Sequence, residues 1–116
     1  MLTRLHREYG IQSLFVAENG AAFGDVRTHD GAIHDLERIR YLDAYLGEVA
    51  AAMADGVPVR GYFVWSLLDN FEWAEGYSKR FGLVFVDYPT LERIPKDSFY
   101  WYRDLIARTR GVTLAA

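Results

Sequence analysis

The chain has 116 residues, 51% hydrophobic and 25% charged, the make-up of a folded protein of one domain's length rather than of a disordered tail. Thirteen Lys plus Arg against sixteen Asp plus Glu leave a net charge of −3 with no basic block, which argues against a nucleic-acid partner. No apolar run nears the roughly 20 residues of a membrane span, and the lack of cysteine excludes disulfides, zinc fingers and thiol catalysis and fits a reducing, cytoplasmic setting.

Leu2, Leu5 and Tyr9 share one helical face, and Gly10 is a natural stop. The stretch Met1–Gly10 is charged and amphipathic, so it does not read as a secretory leader. Ser13–Ala17 is a short apolar run suited to a strand buried on both faces. Residues Ala21–His34 read as a long loop, and loops of that length are more often functional than idle. Asn19–Gly20 could make a two-residue hairpin, but no strand pattern follows it.

Leu36, Ile39, Leu42, Leu46, Val49 and Met53 recur every three or four residues and predict a helix. Asp35 is its expected N-cap, Gly56 its C-terminal glycine, and Pro58 blocks continuation. Val59–Ser66 then reads as a second buried strand, giving a βαβ unit with parallel pairing. A polar and aromatic loop (LLDNFEWAEGYSKRFG) follows. Leu83–Tyr88 is expected to be a short strand outside the main sheet, and Pro89–Pro95 a turn region. Phe99, Tyr102, Leu105 and Ile106 mark a final helix, closed by Gly111.

Two buried parallel strands need neighbours on both sides, and this chain supplies none. Of its eighteen aromatic residues, thirteen lie between Tyr62 and Tyr102, too many for so small a core to hide. The sequence reads as part of something larger.

Glu18 falls at the C-terminal end of the first strand, the edge where parallel α/β architectures build active sites. A rigidly held carboxylate there suits nucleophilic or acid/base work, though a surface Glu beside a turn is the commoner reading of position alone. Trp65 occupies the same edge of the second strand, with Glu72 and Trp73 in its loop. Indole faces stack on a sugar's CH surface, while an indole N–H and a carboxylate hold its hydroxyls. The alternative for each aromatic is core packing; taken together the cluster tips toward carbohydrate.

Other chemistries find little support. His6, His29 and His34 lack metal-site spacing, and Asp25, Arg27 and His29 do not fit a calcium loop. His34 is expected to orient the loop before Asp35. No phosphate-cradling glycine loop or nucleophile elbow surrounds Ser66 or Ser78. No metal and no cofactor is expected.

The segments LFVAENGAAF and RGYFVWSLLDNFEWAEGYSKRFGLVFVDY, with the final helix PKDSFYWYRDLI, closely resemble the C-terminal part of family 1 glycoside hydrolases, the β-glucosidases. The resemblance covers nearly the whole chain and implies a partial (β/α)8 TIM barrel. Residues 1–116 would be its last two βα units, an incomplete domain. It implies a retaining glycosidase in which Glu18 is the nucleophile. Trp65 would floor the sugar subsite, Glu72 would bind the O4 and O6 hydroxyls, Trp73 would contact O3, and Phe81 would line the same subsite.

Residues alone would also allow Glu18 and Glu72 as nucleophile and acid. The resemblance instead places the acid/base Glu in an Asn-Glu-Pro motif that this sequence lacks. Ala17 stands where the family usually has Thr. Relatives acting on 6-phosphoglycosides usually carry Ser in place of Glu72 and Tyr in place of Phe81, so unphosphorylated β-glycosides are the expected substrate. The expected partner is the missing N-terminal barrel portion, and the isolated chain is expected to be inactive. The alternative is a non-enzymatic fragment, or a complementing barrel piece that binds sugar or docks on the missing half.

Overall fold

In the computed structural model, which describes residues 1–110, the chain opens with helix α1 (Leu2–Tyr9), strand β1 (Leu14–Asn19), helix α2 (Leu36–Ala54) and strand β2 (Val59–Val64). A 3-10 turn (Trp73–Glu75), strands β3 (Val84–Asp87) and β4 (Glu92–Pro95), and helix α3 (Asp97–Arg110) complete it. Gly111, expected to close the last helix, lies outside the described residues.

β1 and β2 pair in parallel across α2, as the βαβ pattern requires. Val57 and Val59 at the entry to β2 pack on Ala52 of α2, with Leu2, Leu14 and Val49 around them. The opposite face of the pair is bare. Phe15 is 58% exposed and Phe63 59% exposed, too apolar for a face meant for water. The dimensions agree: the radius of gyration is 16.2 Å, against about 13 Å for a compact domain of this length.

Four sequence expectations change in detail. The second strand ends at Val64 rather than Ser66; Ser66 turns to meet the other sheet, donating to the Phe81 carbonyl at 3.2 Å and accepting from Leu83 N–H at 2.8 Å. The stretch 89–95 is not all turn: residues 92–95 form β4, antiparallel to β3. Its exposed polar residues hid the strand, and Pro95 is tolerated at its end because that is an edge position. The α2 stripe is only partly apolar, because Arg38 is buried beside Leu42 while Leu36 and Met53 are half exposed.

Asp35 departs furthest from expectation. Its side chain does not cap α2. Its carboxylate instead accepts the Ser98 N–H at 2.9 Å and the Ser98 hydroxyl, so it caps α3 from 63 residues away while paired with Arg38.

The long loop between β1 and α2 is tied down at both ends. Phe23 bridges to Arg80, and a turn at Thr28–Gly31 is closed by the Asp30 carboxylate on Ala32 N–H at 3.0 Å. His34 orients the loop as expected: one ring nitrogen lies 2.7 Å from Asp97 Oδ2, the other 3.0 Å from Asp30 Oδ2. The Asp97 bond first, then Asp30, raises the His34 pKa above its ordinary 6.5. Bonds from Thr28, Ala32 and His34 hold the Asp30 carboxyl well below its ordinary 3.8.

Folded His34 therefore keeps its proton to higher pH than the unfolded chain does. Its contribution is fully present below pH 6.5 and is lost as pH rises through the raised value. That of Asp30 is present above 3.8 and is lost as pH falls. In an NMR titration the His34 imidazole should have a midpoint above 6.5, and Asp97→Asn should lower it. A midpoint at or below 6.5 in the unmodified chain contradicts this arrangement.

Candidate functional site

Glu18 and Trp65 come from adjacent strand ends. Asn19, the last residue of β1, is in register with Val64, the last of β2, and Trp65 N–H donates to the Asn19 carbonyl at 2.9 Å. The backbones then come so close that a Cβ on Gly20 would sit 1.8 Å from the Trp65 carbonyl oxygen. Only glycine fits. The Asn-Gly pair is thus a crossing point between two strands, not the turn of a hairpin.

Glu18 is exposed at this edge. The Trp65 indole N–H donates to Glu72 Oε1 at 3.3 Å, orienting that carboxylate and leaving its second oxygen for another donor. Phe81 is half-buried, and its carbonyl takes the Ser66 N–H, which sets it beside the exit from β2. Trp73 sits on the 3-10 turn, fixed by Glu72 N–H on the Gly76 carbonyl at 2.7 Å, yet the residue is 86% exposed. The structure therefore joins Trp65 and Glu72 directly; Glu18 precedes the Asn19 whose carbonyl meets Trp65, and Phe81 meets Ser66, the residue after Trp65. The Trp73 ring stands clear of the ring pairs found among the described residues.

Beneath this edge lies a group of residues that the sequence did not suggest. Asp69, in the loop bearing Trp65 and Glu72, is fully buried. Its carboxylate accepts from Lys96 Nζ at 2.9 Å, Arg80 Nη1 at 2.7 Å and Gly82 N–H at 2.9 Å. Lys96 also meets Asp25, which pairs at 2.7 Å with Arg38, which pairs in turn with Asp35. Three carboxylates and three cations balance, as burial demands. The Arg80 guanidinium lies 3.9 Å from the Phe85 ring centroid and 4.7 Å from that of Tyr88. Lys96 and Asp25 are 71 positions apart, so no periodicity could have paired them. Gly82 is part of the same packing: a Cβ there would lie 2.2 Å from the Asp69 nitrogen.

Among the described residues no cluster of His, Asp and Glu is placed to hold a metal ion, and no helix is long and apolar enough to cross a membrane.

Comparison with known proteins gives one consistent result. The sequence signature described as Glycosyl hydrolase family 1 matches residues 1–111. β-Glucosidase A of Thermotoga maritima is 57% identical over 106 residues, 91% of this chain and 24% of that protein. The 1,4-β-D-glucan glucohydrolase of Thermotoga neapolitana is 57% identical over 113 residues, 97% of this chain and 25% of that protein. The solved structure of the T. maritima β-glucosidase in complex with galacto-hydroximolactam superposes with a TM-score of 0.89, covering 90% of this chain and 24% of that one at 57% identity. The chain thus spans about a quarter of the length of the curated relatives it matches.

Because Asp69 neutralises two buried cations, Asp69→Asn should cost about 3–5 kcal/mol. Urea denaturation would register this as a lower midpoint, whereas Arg4→Ala, which removes only the exposed pair with Glu8, should cost less than about 1 kcal/mol.

Proposed function

The chain belongs to glycosyl hydrolase family 1, and from that premise we propose that it is the C-terminal part of a retaining β-glycosidase. In that reading residues 1–116 are the last two βα units of a (β/α)8 barrel. The carrying observation is the pairing of strand ends that sets Glu18 beside Trp65, with Trp65 bonded to Glu72. The bare Phe15–Phe63 face of the sheet fits a barrel interior completed by the remaining strands.

Glu18 attacks the anomeric carbon of a β-glycoside and forms a glycosyl-enzyme ester as the aglycone oxygen departs. The proton for that oxygen comes from a carboxylic acid carried by the rest of the parent protein. The same group, now a base, then takes a proton from water, which attacks the anomeric carbon and frees Glu18. Trp65 offers the sugar a flat apolar surface. Glu72, one oxygen held by the Trp65 indole, accepts from sugar hydroxyls with the other. Trp73 and Phe81 complete the walls.

The substrate class follows from Glu72. A carboxylate facing a desolvated phosphate would cost several kcal/mol, so the glycone is unphosphorylated. The names of the relatives support β-glucosides, and the galacto-configured ligand of the T. maritima structure supports β-galactosides as further substrates.

In the full-length protein, Glu18→Ala should abolish nearly all turnover of an aryl β-glucoside, measured by release of the aryl alcohol. Turnover near the unmodified rate would remove the basis of the proposal. The isolated chain should be inactive, because the missing acid/base alone is worth about 10²–10⁴ in rate. Mixing it with a polypeptide carrying the remaining strands tests the second reading, a complementing piece, which the single pairing of each parallel strand favours. Regained activity would mark it as a barrel piece; ordinary rates from the chain alone would refute the incomplete site.

A further inference from the structure

The pairing of β1 with β2 is interrupted next to Glu18. Val16 opposes Tyr62 and Asn19 opposes Val64, so Ala17 and Glu18 together face the single residue Phe63. One extra residue in β1 makes a β-bulge. Its effect on direction is large, because strand side chains alternate with period two. Unbroken alternation would put Glu18 on the same face as Val16, toward α2. The bulge puts Asn19 on that face instead: Val16, Asn19 and Tyr62 line one groove with Tyr45 and Val49 of α2, and Glu18 does not. Opposite Phe63, Glu18 shares the face of Phe15 and Gly61, whose added Cβ would touch the Phe15 ring at 2.7 Å.

A bulge needs something to hold it. The Tyr62 hydroxyl donates to Asn19 Oδ1 at 2.6 Å, across the strands at the bulge itself. The Tyr62 backbone is held in turn, its carbonyl accepting from the Tyr102 hydroxyl at 3.3 Å. Burial, with Tyr41, Tyr102 and Tyr45 nearby, pushes the Tyr62 phenol up to about 12. At neutral pH it therefore stays protonated and remains the donor.

We propose that Asn19 and Tyr62 are positioning residues that lock the bulge and so aim Glu18 at the face carrying Trp65. This rests on the glycosidase reading above. Without the lock the strand end can relax toward regular alternation, swinging the carboxylate off the line of attack. A misplacement of about 1 Å can cost as much as 10²-fold in rate.

The test uses the full-length glycosidase containing this segment, with active sites titrated to completion by a 2-deoxy-2-fluoroglycoside. Tyr62→Phe should lower kcat per titrated site about 10-fold with KM changed less than about twofold. Asn19→Ala, which removes the acceptor and spares the ring, should lower kcat at least as far. Because one hydrogen bond carries the effect, the double variant should be no slower than Asn19→Ala alone. A purely structural role would reduce thermal stability and the titrated fraction but leave kcat per site unchanged. That result, or additive losses in the double variant, overturns the proposal. Glu18→Ala separates the two readings: if it is inert while Tyr62→Phe runs at full rate, only the positioning role fails. If Glu18→Ala turns over normally, the glycosidase assignment fails with it.

Discussion

The balanced burial of six charges holds the rest of the fold in place. Asp69 is reached by Lys96 from the end of β4 and by the Arg80 side chain and Gly82 amide, so one carboxylate ties two distant stretches of chain to its own. Through Lys96 the set extends to Asp25, then to Arg38 in α2 and Asp35 at the start of α3. Apolar contact works beside it: Leu83–Val86 of the β3 segment are buried next to Asp69 and Arg80, while a separate cluster around Ala52 lies at the other end of α2. The arrangement costs desolvation, but it fixes geometry: loss of Arg38 would leave Asp35, and loss of Asp69 would leave Arg80, without an opposite charge. The loop that carries Trp65 and Glu72 is thereby built on a rigid base although its own residues are largely exposed.

A second constraint acts at closer range. Gly20 meets the Trp65 carbonyl where no side chain could fit, and Trp65 N–H bonds the Asn19 carbonyl. These contacts fix the separation of the two strand ends, while the bulge fixes the direction of the side chain between them. The ion network sets the loop, the glycine sets the spacing, and the bulge sets the aim.

Much of this was legible in the sequence, for physical reasons that differ by element. The apolar runs, the α2 periodicity and the stop signals at Gly10, Gly56 and Pro58 are local, and the parallel βαβ unit follows from them. Placing Glu18 and Trp65 at one sheet edge needed only strand direction. Strand β4 was hidden because its first two residues are exposed and polar and its last is a proline. The capping role of Asp35 toward α3 was hidden because it depends on two segments 63 residues apart. The same holds for Asp25, Asp69 and Lys96, whose loop positions carry no period that points to a partner. The bulge was invisible for another reason: it exists only in the register between two strands, and neither strand alone contains it.

The thinness of the molecule has an electrostatic consequence. Its shortest dimension is 19 Å, roughly one helix laid on one strand layer, so solvent reaches the exposed carboxylate of Glu18 and screens it strongly. Enclosing the same edge within further protein would lower the local dielectric and strengthen both the Trp65–Glu72 hydrogen bond and the field of the Glu18 carboxylate, with no atom of this chain displaced. The chain sets where the charges stand, and any protein that covered its bare face would set how strongly they act.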